Sequence, residues 1–321
     1  MSSPPSVARE LDTEIDSARD SLAEACLDQL TYAFGLHNRT WANGLLRPIF
    51  GRAVRRFAGL MRQIDSEFGE YGTAGGSALL VDRFCAGREA TGIENIPADG
   101  PLMIVANHPG AYDAAALASF VERDDLKFIV RDVSALRQLP NIREIAVFTP
   151  KGKNSYRRIR PARECIRQLK NGGALLIFPR GRFEPDPDSM ENPDIGLNKW
   201  SPILQLLANS VPETKILTTV VGGVISPKAL RHPITWFRSA PKRKQRLAFM
   251  YQLMRQALSG REVFGLRPRV TFGEIVVAGE HKDVMAAVEA AMRRTMALHL
   301  ARPRTPVAAV ESGDRPSTAQ L

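Results

Sequence analysis

Six short apolar runs recur along the second two-thirds of this chain, at residues 102–106, 127–131, 145–149, 174–178, 216–225 and 269–272. Segments of helical periodicity lie between several of them: 113–121, 157–170, 203–209, 242–259 and 283–300. In 157–170, Ile159, Ala162, Ile166 and Leu169 share one face, and Gly172-Gly173 supplies the stop. Strand-helix alternation of this kind predicts an α/β fold, a mixed and mostly parallel sheet covered by helices. Ahead of it, helical patterns at 22–36, 41–70 and 78–85 predict an N-terminal helical extension. The expected division is residues 1–90 as a helical segment able to associate with a membrane, 91–300 as the α/β domain, and 301–321 as a disordered tail rich in Pro, Arg and small residues.

Charge narrows the partners. Forty-four Lys and Arg against 34 Asp and Glu give a net charge of +10, which favours polyanions: nucleic acid, anionic lipid or phosphorylated ligands. The first ten residues lack the basic and apolar regions of a signal peptide. No uncharged apolar run reaches the ~18–20 residues needed to span a bilayer, so membrane attachment is expected to be peripheral. Cys26, Cys85 and Cys165 are widely spaced and odd in number, which supports neither a disulfide framework nor a zinc site and fits a reducing cytoplasm.

The chemistry concentrates where the first apolar run ends, in Asn107-His108-Pro109-Gly110-Ala111-Tyr112-Asp113. A residue before proline is pushed into extended conformation, so His108 closes the strand with its ring projecting. Pro109-Gly110 turns the chain, and Asp113 falls where a helix N-terminal acid is favourable. The turn can return that carboxylate to the imidazole, fixing its tautomer for general-base work. A capping Asp beside an incidental His is the plainer alternative. The joint pattern after a strand favours catalysis.

A second strand runs into Phe178-Pro179-Arg180-Gly181-Arg182-Phe183-Glu184. Glycine there admits close backbone approach, and the two arginines offer forks that bind phosphate. Lys151-Gly152-Lys153 leads into a helix, where phosphate can sit at the N-terminus. Gly222-Gly223 interrupts a further apolar run, for close packing or for lining an acyl site. There is no Gly-x-Ser-x-Gly elbow, no dinucleotide-binding glycine loop and no His-Glu-x-x-His motif, and His37, His232, His281 and His299 are isolated.

These blocks, over residues 90–230, resemble the glycerolipid acyltransferase family, which includes the 1-acyl-glycerol-3-phosphate acyltransferases. Asn107, His108 and Asp113 match its Asn-His-x-x-x-x-Asp block; Phe178, Pro179 and Gly181 match its Phe-Pro-Glu-Gly-Thr-Arg block. Arg180 stands where the family has Glu, Arg182 where it has Thr, and Phe183 where it has Arg. Lys151 follows the middle block, which usually ends in Arg, and Gly222-Gly223 occupies a stretch that usually carries Pro.

The resemblance implies transfer of a fatty acyl group from acyl-CoA or acyl-carrier protein to the hydroxyl of a lysophospholipid or glycerol-phosphate-type acceptor, in phospholipid biosynthesis. His108 and Asp113 would be catalytic. Asn107, Gly110, Lys151, Phe178, Pro179, Arg180, Gly181 and Arg182 would bind substrate. The oxyanion would be held by backbone N–H groups near Gly110 or by a neighbouring donor that the sequence does not name, Arg182 would supply the phosphate-binding guanidinium one position early, and Glu184 would partly replace the missing acid. No metal or other cofactor is expected.

The expected location is cytoplasmic, peripheral on the inner face of the membrane. There the basic residues Arg47, Arg52, Arg55, Arg56 and Arg62 would meet an anionic surface. Two alternatives compete: a non-catalytic basic module binding anionic lipid or nucleic acid, and a thioester hydrolase. Nucleic acid is not expected as a partner, because no recognisable nucleic-acid motif is present.

Overall fold

The computed structural model describes residues 21–25, 40–110, 112–150, 156–236 and 241–303. In chain order its main elements are α1 (Thr40–Phe84), β1 (Glu89–Thr91), β2 (Leu102–Ala106), α2 (Asp113–Ala118), β3 (Lys127–Arg131), α3 (Ser134–Arg137), α4 (Pro140–Glu144), β4 (Ala146–Thr149), α5 (Tyr156–Lys170) and β5 (Ala174–Ile177). There follow α6 (Ile203–Ser210), β6 (Lys215–Gly222), α7 (Pro227–Leu230), α8 (Pro241–Ser259), β7 (Arg269–Val277) and α9 (Val284–Ala301). The strands form one sheet in the order β1-β7-β6-β2-β5-β3-β4. Among the described residues only the β6–β7 pair is antiparallel. The expected mixed, mostly parallel sheet is the one observed.

The central strands read as continuous apolar runs because both faces of the sheet are covered. On β2, Leu102, Ile104 and Ala106 join one core with Leu117 of α2 and Val81 and Phe84 of α1. Met103 and Val105 join a second core with Leu169 of α5, Leu204 of α6 and Val288 of α9. β5 divides the same way, Ala174 and Leu176 against Leu175 and Ile177. The pleat's period of two distributes the side chains to the two cores.

Several boundaries differ from the sequence expectation. The helices expected at 41–70 and 78–85 are a single run, α1, broken only at Gly72, whose φ of 69° and ψ of −174° leave the helical region. Glycine accommodates that conformation at little steric cost, so the axis bends while residues on both sides stay helical. The first arm is tied down by buried Asp65, which accepts from the backbone N–H of Ile142 at 2.8 Å and from Asn141 at 3.1 Å. Of the helix expected at 22–36, residues 21–25 are helical, and Leu22 packs with Val54 and Ala58. Residues 26–36 lie outside the described residues, as do 304–321 of the expected tail.

β1 is an edge strand with no apolar run to announce it; it pairs with Arg269–Thr271. The strand expected at 216–225 ends at Gly222 because the buried Asp186 carboxylate takes the next three N–H groups, those of Gly223, Val224 and Ile225, at 2.8–2.9 Å. Burial pushes that carboxyl up to about 6, against the pull of those N–H groups. Gly222 serves packing: a Cβ there would meet Asp188 and His299 at 2.6 and 2.8 Å.

Ile104 is fully buried at the centre of the sheet, so Ile104→Ala should lower unfolding free energy by about 2–5 kcal/mol. Urea denaturation of the two proteins measures this; a loss below half a kcal/mol would contradict the packing described.

Candidate active site

The parallel strands deliver their following loops to one edge of the sheet, where ligands gather in such folds. His108 stands at that edge, two residues past the end of β2. Its Nδ1 lies 2.8 Å from Asp113 Oδ2. The same oxygen accepts the Gly110 N–H at 2.9 Å, and Oδ1 accepts the N–H of Ala114 at 2.7 Å. Since an ionised carboxylate can only accept, Nδ1 carries the hydrogen and Nε2 is left with its lone pair. The Asp113 side chain is 2% exposed and that of His108 26%. One member of the pair is therefore sealed and the other reaches solvent.

Burial pulls the His108 pKa down. The charge of Asp113, its hydrogen bond and the charge of Glu184 outweigh this, and the net shift is upward, with Arg131 opposing. The ring stacks on Phe178 at 4.5 Å and meets Phe183 at 4.8 Å; Phe183 in turn packs edge-on against Phe249 at 5.2 Å.

The backbone around His108 is bracketed from two sides. Its N–H donates to Glu184 Oε2 at 3.1 Å and its carbonyl accepts the N–H of Glu184 at 2.9 Å. Gln245 of α8 donates to the carbonyls of Pro109 and Glu184 at 2.8 and 2.7 Å. Further along the same helix, buried Gln252 and Gln256 hold Val224 and Ser226, and Phe84 and Tyr112. Burial raises the Glu184 carboxyl above its ordinary value, with Arg180 and the His108 N–H pulling it back.

Several residues expected to bind substrate are placed otherwise. Asn107 is fully buried, and its side-chain amide exchanges two hydrogen bonds with the Val221 backbone, at 2.9 and 2.8 Å; it extends the β2–β6 pairing by one rung. The N–H of Gly110 goes to Asp113, so it is not a spare oxyanion donor. The glycine lets Ile225 pack closely: a Cβ would meet the tip of that side chain at 2.9 Å and would require it to shift.

Arg180, expected to face a phosphate, turns inward. Its side chain is 6% exposed and 3.8 Å from buried Glu184, and a Cβ on Gly196 would collide with it. Pro179 is buried and accepts from the Ser201 N–H. Gly181 and Arg182 are exposed at the turn, where Gly181 adopts a φ of 61°. Phe178 flanks the imidazole. Lys151 lies outside the described residues.

Arg131 was not anticipated. It ends β3, is exposed, and donates to the Gly181 carbonyl at 2.9 Å, and its charge acts on His108. Its position as the last residue of an apolar run, at the carboxyl end of a strand, was the available signal. Gln245 had no comparable signal. No group of side chains among the described residues is suited to holding a metal ion.

Comparison with known proteins finds two similarities. The model of the acyltransferase family matches residues 87–193, a third of the chain. Among solved structures, the chain is similar to the 1-acyl-sn-glycerophosphate (LPA) acyltransferase PlsC from Thermotoga maritima. The identity is 21%, the match covers 79% of this chain and 85% of that one, and the TM-score is 0.45. No curated protein matches the chain.

The His108 ring should titrate above the ~6.5 of an unperturbed histidine. In Asp113→Asn the acceptor's charge is gone and burial acts with less opposition, so the midpoint should fall. Imidazole NMR of the two proteins measures it; an unchanged midpoint would contradict the pairing.

Proposed function

We propose that this chain, which carries an acyltransferase domain over residues 87–193, moves a fatty acyl group from acyl-CoA or acyl-carrier protein to the hydroxyl of a lysophospholipid or glycerol-phosphate-type acceptor. The observation that carries this reading is the hydrogen-bonded His108–Asp113 pair, its imidazole partly open between Phe178 and Phe183.

His108 Nε2 takes the proton of the acceptor hydroxyl while Asp113 steadies the imidazolium that forms. The oxygen attacks the thioester carbonyl, a C–O bond forms, and the tetrahedral intermediate collapses by breaking the C–S bond. The departing thiolate takes the proton back from His108. Atoms and charge balance with no further cofactor. The stacked Phe178 and the tilted Phe183 beside the ring suit an acyl chain lying near it and limit the approach of water, which favours transfer over hydrolysis. Glu184 and Gln245 act as positioning residues by fixing the backbone that carries His108.

Arg131 and Arg182, with Lys151, are the cations proposed for the acceptor's phosphate. Arg131 is held toward the site through Gly181, whereas Arg180 is committed to Glu184.

Association with an anionic membrane surface is part of the same reading, with residues 1–90 as the segment that makes it and 91–300 as the catalytic unit. No helix among the described residues is long and apolar enough to cross a bilayer. α1 exposes Arg52, Arg55 and Arg56 while burying Val54 and Ala58, an arrangement that suits an anionic leaflet at about 1 kcal/mol per cation near the surface.

His108→Ala should reduce transfer from acyl thioester to a lysophospholipid panel by about 10²–10⁴-fold. Product mass spectrometry with both donor types reads it. Equal turnover by wild type and variant would remove the base, and free fatty acid without acylated acceptor would identify a hydrolase instead.

A further inference from the structure

Helix α5 is electrostatically at odds with itself. Arg157 and Arg158 stand in its first turn, with no acid there, although the N-terminal end of a helix dipole favours negative charge. Arg160, Arg163, Arg167 and Lys170 are all exposed, and at this spacing they follow Tyr156 in a single stripe along the helix. None of the four makes an ion pair among the described residues. Like charges three and four apart on a helix repel. The opposite face meets the protein through buried Cys165 and Leu169, so the stripe is not required to seat the helix. It runs about 21 Å at the usual rise per residue. At its head are Tyr156, 83% exposed, and Ile159, 44% exposed.

The stripe begins at the catalytic edge of the sheet. α5 follows β4, which runs parallel with β2, so its N-terminus and His108 share that edge. β4 is three strands from β2, roughly 14 Å at the usual strand spacing. A partner seated on the stripe is within reach of the imidazole for a flexible, thioester-bearing arm.

A helix lying on a membrane needs an apolar edge along its length. Here the exposed large apolar side chains, Tyr156 and Ile159, are confined to the head, and Ile166, further along, packs against the core. Arginine with tyrosine is instead the composition enriched at protein interfaces.

We propose that the outer face of α5 is the docking surface for an acidic acyl-carrier protein, which presents the thioester to His108. The proposal rests on the acyl-transfer reading for the identity of the partner, and its binding arm is independent of turnover.

The test compares the full-length protein with R160E/R163E/R167E and the milder R160Q/R163Q/R167Q, after circular dichroism shows both variants folded. Affinity for phosphopantetheine-free acyl-carrier protein from the same organism is measured by fluorescence anisotropy at several salt concentrations. kcat/KM is measured with palmitoyl-carrier protein and with palmitoyl-CoA. Wild type should bind the carrier in a salt-sensitive manner, and charge reversal should weaken binding and carrier-dependent kcat/KM by at least about tenfold. The neutral variant should fall between, and kcat/KM with palmitoyl-CoA should stay within about twofold. The proposal is overturned if wild type does not bind the carrier or if reversal leaves binding unchanged. A parallel loss with palmitoyl-CoA overturns it too, as does reversal that weakens only association with phosphatidylglycerol vesicles. Carrier binding that is lost on reversal, in a wild type that turns over neither donor, would uphold the docking surface and remove the acyl-transfer reading.

Discussion

One carboxylate oxygen organises the catalytic edge. Asp113 Oδ2 holds both the imidazole of His108 and the N–H of Gly110, so the bond that sets the histidine's tautomer also closes the turn from β2 to α2. The rest of the local structure serves the same end: Asn107 ties the end of β2 to β6, Asp186 gathers the chain leaving β6, and Glu184 brackets the His108 backbone. These groups are buried, and a buried polar group left without a partner is costly. The network therefore holds one arrangement firmly and leaves the open edge of one imidazole as its reactive surface.

The electrostatics follow from burial. Asp113 is almost sealed and close to the ring, so its field is only weakly screened, and it overcomes the desolvation that would otherwise lower the His108 pKa. Arg131 works in the opposite direction. A base set between a fixed anion and an exposed cation can keep its basicity while its surroundings accept an anionic substrate. The aromatic walls make the remaining approach apolar, which fits an acyl chain and a thioester better than free water.

The sequence was most legible where side-chain period and turn chemistry agree. Strands β2 and β3 have the bounds expected of them, because each is an apolar run ended by a change in residue type. His108 and Asp113 were legible because a Pro-Gly turn five residues long can close only over a short distance. β1 was hidden: two half-buried residues and an exposed one at the sheet edge carry no pattern, and only pairing with β7 makes them a strand. The continuity of α1 was hidden by its Gly-rich stretch, in which only Gly72 leaves the helical region. Arg180 misled, since an arginine beside a glycine looks solvent-facing until Glu184 and Gly196 are found to enclose it. The glutamines of α8 carried no signal at all: Gln245, Gln252 and Gln256 share one helix face with nothing in their spacing to mark it, and all three are fully buried.

The central claim is that a neutral His108 accepts the acceptor's proton during acyl transfer. The pH dependence of kcat/KM for that transfer tests it most directly. The account predicts a rate that rises with pH along a single acid limb, whose midpoint lies above that of an ordinary histidine and moves to lower pH when Asp113 is replaced by Asn. A rate flat across that range, or a limb that stays in place in the variant, would contradict it.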